Sequence, residues 1–93
     1  MATTVEIGTM ITRSPEIRNG RPRIAGIGVT VRRIASWNNL GLSPEEIAAQ
    51  IEHLSLAQIH AALAYYFANR EEVDRDLAEE DAFIEQLEAG AAK

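Results

Sequence analysis

Hydrophobic and polar positions divide this chain at about residue 30 into an extended half and a helical half. Val5, Ile7, Thr9 and Ile11 alternate with their neighbours, the period of a strand. A turn region follows over residues 13–22, where Pro15 fixes φ and Asn19-Gly20 suits a positive φ. Further extended pieces are expected at residues 23–25 and 27–31. Ile27, Val29 and Val31 alternate, whereas Ile24 is out of phase with them. The chain is therefore expected to bend at Ala25-Gly26, and Gly28 to mark a bulge or a close backbone approach.

From Thr30 the period is helical. Thr30 can cap a helix carrying Val31, Ile34, Ala35, Trp37 and Leu40, with Gly41 just past its end. In "LSPEEI", Ser43 is the expected N-cap, Pro44 the first helical residue and Glu46 the partner in a capping box. Leu42 and Ile47 are spaced as a hydrophobic staple across that cap. "LSLAQI" repeats the device with Ser55, Gln58, Leu54 and Ile59. Two starts so close predict a short helix of about two turns, a tight turn near His53, and a longer helix. That longer helix presents Leu56, Ile59, Leu63, Tyr66, Phe67 and Arg70 at three- and four-residue steps. The remainder stays helical in character up to Gly90, either continuing the third helix or following a kink near Asn69.

Composition limits what such a chain can be. It has 93 residues, the size of one small domain with a thin core, so self-association as a homodimer is the expectation. There is no cysteine, which excludes disulfides and thiolate metal sites. Neither a signal peptide nor a membrane span is evident, and a soluble cytoplasmic protein is expected. Charge is uneven. Residues 1–40 hold six arginines against two acids, net +4, and residues 41–93 carry net −9. The two ends thus suit different partners, or each other across a dimer.

Each cluster of chemically capable residues has a plainer structural reading. Arg21, Arg23, Arg32 and Arg33 could contact phosphates, or could simply form a solvated, charged edge. The second and third helices have helix-turn-helix order, which would put Ala57, Gln58, His60, Ala61 and Ala62 near bases. No arginine, lysine or asparagine lies in residues 54–68, so a helical core is favoured over base reading. His53 and His60 lack further ligands for a metal shell, and Ser36, Ser43 and Ser55 read as helix or cap residues. No catalytic, cofactor or metal site is expected. The last helix is the most informative: Val73, Leu77, Ile84 and Leu87 form an apolar stripe, broken at Glu80 and widened by Phe83. Acidic residues surround it, so it should bury against its own domain, a twin subunit or a basic partner.

The order of motifs resembles the family called domain of unknown function 433. The resemblance rests on Gly20-Arg21-Pro22, Gly26, Val29-Thr30-Val31, residues 41–47 and residues 54–59, and spans about residues 11–72. One departure is Gly26-Ile27-Gly28, where the family usually reads Gly-Thr-Arg. The resemblance implies a mainly α, homeodomain-like domain of helix-turn-helix type with a short N-terminal β-arm or hairpin. It also implies an antitoxin, encoded beside a PIN-like ribonuclease toxin, that also binds its own promoter. The expected organisation is a β-arm and three-helix domain over 1–70, then an acidic amphipathic C-terminal helix over 71–93. The leading functional expectation is a non-enzymatic antitoxin whose Val73, Leu77, Phe83, Ile84 and Leu87 dock on the toxin. The alternatives are a DNA-binding regulator using Arg21, Arg23, Arg32 and Arg33 on operator DNA, or a self-associating structural module.

Overall fold

The computed structural model describes residues 4, 6–16 and 20–91. It is mainly helical, with a short antiparallel pair of strands at the N-terminal end, in agreement with the fold class read from the sequence. Strand β1 is Ile11–Thr12 and β2 is Arg23–Ile24, with Ile11 opposite Ile24 and Thr12 opposite Arg23. Four helices follow: α1 (Val31–Asn39), α2 (Pro44–Ala48), α3 (Leu56–Ala68) and α4 (Arg70–Ala91).

The N-terminal strand is shorter than its alternation predicts. Ile7–Thr9 is a single 3₁₀ turn, closed by the Thr9 hydroxyl donating to the Glu6 carbonyl at 2.7 Å, and only Ile11–Thr12 pairs. Gly8 breaks the run, and Ile7 has no apolar surface to cover, so alternation alone does not hold it extended. Val5 and Asn19 lie outside the described residues. The bend at Ala25-Gly26 is present. Gly26 takes φ +81°, the Ile27 amide donates to the Ile24 carbonyl, and the Ile24 amide donates to the Val29 carbonyl at 2.8 Å. This folds Thr30 back beside Arg23 and starts α1 directly on top of the strands.

Helix boundaries follow the predicted chemistry. The Thr30 hydroxyl accepts from the Arg33 amide at 3.2 Å. Both serine caps are reciprocal boxes: the Ser43 amide donates to Glu46, and the Ser55 amide to Gln58, while each serine hydroxyl accepts the return bond. α1 ends in a Schellman motif, with Gly41 at φ +97°, its amide on Asn38 and the Leu42 amide on Trp37. Leu42 and Trp37 consequently pack against the core while Leu40 is left outside. His53 supplies the positive φ, +65°, that turns the chain from α2 into α3.

Ile24, Val31, Ile34, Ile47, Ile59 and Tyr66 form the centre of the core, each at most 1% exposed. α1 and α3 are its main layers, with α2 and the strands closing two sides. Leu56 and Phe67, predicted on the buried stripe of α3, are exposed instead. α3 and α4 are separate helices. Asn69 leaves helical geometry at φ −133° and ψ 45°, and its side chain caps the Tyr65 carbonyl at 3.0 Å. α4 then sets off in a new direction, packing mainly on α1, and puts Val73 into the core. Tyr66 pins the join, since its hydroxyl donates to Asp74 at 2.8 Å and accepts from Asn39 at 3.2 Å.

Candidate interaction surface

The predicted docking stripe on α4 divides into two parts. Val73 is 1% exposed and belongs to the domain's own core, so it is not available to a partner. Leu77 is half-buried and packs against the same core. Phe83, Ile84 and Leu87 are 60%, 44% and 57% exposed, and every residue from 81 to 90 faces solvent. The physical reason is reach. A helix of 22 residues is about 33 Å long, against 29 and 23 Å for the two shorter extents of the whole molecule. Its distal part therefore projects, giving the molecule a long axis of 62 Å.

Sequence alone left open what the acidic residues of α4 face. The structure turns the first of them toward the basic N-terminal half. Arg13 bridges Glu72 and the Tyr65 hydroxyl. Burial, then the hydrogen bond Tyr65 donates to Glu72, raise the Tyr65 phenol above its ordinary range. Arg21 lies 3.7 Å from Asp76 and 4.0 Å from Glu79, and Arg32 lies 3.3 Å from Glu80. Each such partly exposed pair contributes about 0.2–1 kcal/mol, so their main effect is to fix how α4 lies on the domain. Glu80 had looked like a fault in the apolar stripe. It is the residue that meets Arg32.

The four candidate phosphate-binding arginines are not equally free to meet an anion. Arg21 and Arg32 are paired with α4 carboxylates. Arg23 donates to the Ser14 hydroxyl at 3.3 Å, half-buried beside β1. Arg33 is exposed, with its guanidinium 5.1 Å above the Trp37 ring and no carboxylate partner among the described residues. The base-reading positions fare no better. Ala61 and Ala62 are buried in the core, and Gln58 is occupied in its capping box, which leaves Ala57 and His60 exposed. Among the described residues no group of three or more histidine, aspartate or glutamate side chains could hold a metal ion. No helix among them is long and apolar enough to cross a membrane.

Residues that the sequence reading did not single out complete the surface. Trp37, Ser36 and Val29 line a groove with Ile51, beside Arg32, Arg33 and Glu80. Trp37 was legible only as one apolar residue of α1. Its place in the groove depends on how α1 lies against Ile51 and the segment at Val29, which the chain's local spacing does not give.

Residues 11–66 match the family model described as "Protein of unknown function (DUF433)". The crystal structure of a DUF433 member protein from Anabaena variabilis ATCC 29413 is similar to this fold, with 27% sequence identity and a TM-score of 0.71. That similarity covers 75% of this chain and 69% of the Anabaena chain. No curated protein matches the sequence.

Proposed function

This chain belongs to the DUF433 family, and from that premise we propose that it is a non-enzymatic, antitoxin-type protein that binds and neutralises a PIN-like toxin. The observation that carries this reading is the distal part of α4. Phe83, Ile84 and Leu87 stand exposed on a projecting helix flanked by Asp81, Glu85 and Glu88. An amphipathic helix with an acidic rim fits a basic groove, and a nuclease cleft that holds an RNA backbone is basic. Covering such a cleft inhibits without chemistry. Relative to the sequence expectation, the contact set is Phe83, Ile84 and Leu87, with Leu77 at its margin and Val73 outside it.

Co-expression with the product of the adjacent gene tests this. A stable complex is expected, and replacing Phe83, Ile84 and Leu87 together by Asp should weaken it at least ~100-fold, as loss of a central apolar anchor does. Failure to co-purify, or an affinity indifferent to the triple change, would overturn it. No observation favours the DNA-binding alternative, because carboxylates of the same chain already occupy Arg21 and Arg32.

A further inference from the structure

One face of the molecule carries both halves of a complementary contact. At one end is the groove between Val29, on the segment returning beside β2, the outer side of α1 at Arg33 and Trp37, and Ile51. Arg32 and Glu80 border that groove, and the same two residues border the adjoining depression walled by Phe83 and Ile84. The surface is therefore continuous from Trp37 to Ile84, with the Arg32–Glu80 pair near its middle. Its α1 end is cationic and aromatic. Its α4 end is apolar and acidic: Asp81 and Glu88 sit one turn to either side of Ile84, and no basic residue lies between Arg75 and Lys93.

We propose that this face is the interface of a two-fold homodimer, in which the distal part of α4 from each copy lies in the α1 groove of the other. A two-fold interface must complement itself, each patch meeting the partner's opposite end. Rotation about an axis near Arg32 and Glu80 does that here, bringing Arg33 and Trp37 of one copy onto the Ile84 flank of the next. Within one copy, arginines already pair with α4 as far as Glu80. Asp81 and Glu88 extend that acidic row, and Arg33 is an exposed cation of the groove with no carboxylate partner among the described residues. Direct packing of α4 on α4 would instead set two acidic helices together, which is repulsive. A basic foreign partner would cover only the α4 end and leave the cationic groove open; a second copy covers both. The dimer stands on this surface alone. Its consequence, that a toxin must displace the partner copy from Phe83, Ile84 and Leu87, rests on the function proposed above.

Sedimentation equilibrium on the full chain tests the dimer. Two charge variants are used, Arg33→Glu and the double change Asp81→Arg with Glu88→Arg. All three residues are exposed, so helix content by circular dichroism should be unchanged. The unaltered chain is expected to be dimeric, and each variant should dissociate at least ~10-fold more readily. An equal mixture of the two variants should recover the dimer. In a mixed pair the reversed charges face one another at one contact, and the native charges remain at the other. A chain still monomeric at ~1 mM, a dimer indifferent to both variants, or a mixture that stays dissociated would overturn the proposal. Toxin binding is read separately by co-purification, so failure of either reading is visible without the other.

Discussion

At the scale of single residues, Glu46 shows how a local hydrogen bond makes stability depend on pH. The Ser43 backbone amide donates to its carboxylate at 2.9 Å, and this bond, followed by the Ser43 side chain, holds Glu46 below the ordinary carboxyl range. A carboxyl depressed in the folded state stabilises above its unfolded value, and that contribution is lost as pH falls through the folded value. Glu46→Gln should therefore lower the denaturant midpoint at neutral pH, and the difference from the unaltered protein should shrink by about pH 3. Equal differences at both pH values would show that the charge of Glu46 is irrelevant to the cap. Ser43, Ser55 and Thr30 were readable as caps because every partner lies within three residues along the chain.

At the scale of elements, α4 is one helix with two environments. Its first turns are held by Val73 in the core, by Tyr66 on Asp74, and by the arginine pairs of the N-terminal half. Beyond Glu80 every residue to Gly90 is exposed, with Arg21 and Arg32 bordering Phe83 and Ile84. Val73→Ala should cost about 1–3 kcal/mol, since it opens a void among fully buried neighbours. Ile84→Ala should change the stability of the monomer, measured at low protein concentration, by less than about 0.5 kcal/mol. Urea denaturation followed by circular dichroism reads both; similar losses would mean that the distal helix is also part of the fold. The apolar stripe itself was visible in the sequence. Which half of it the domain keeps was not, because Val73 and Leu87 obey the same spacing and differ only in distance from the α1–α3 layer.

At the scale of the whole molecule, the basic first half and the acidic second half meet within one chain. Arg13, Arg21 and Arg32 all find carboxylates on α4, so much of the charge asymmetry is satisfied internally. Compared at concentrations where both are monomeric, a chain ending after Glu80 should keep these pairs and the stability of the full protein. One ending after Asn69 should be less stable, having lost Val73, Asp74, Asp76 and Glu80 together. Thermal melts of the two truncations would distinguish them, and equal losses would contradict the division of α4 drawn here.

The sequence by itself determined the caps, the turn glycines, the helical class and the family, since each depends on neighbours a few residues apart or on an ordered string of such signals. It overstated the first strand, because alternation does not say whether a second surface exists to bury one side. The choice between a continuous helix and a break at Asn69, the meeting of Glu80 with Arg32, and the division of the α4 stripe belong to the tertiary structure. They depend on where α4 lands after the break at Asn69, a geometric outcome of packing Val73 and Tyr66 that no local spacing encodes.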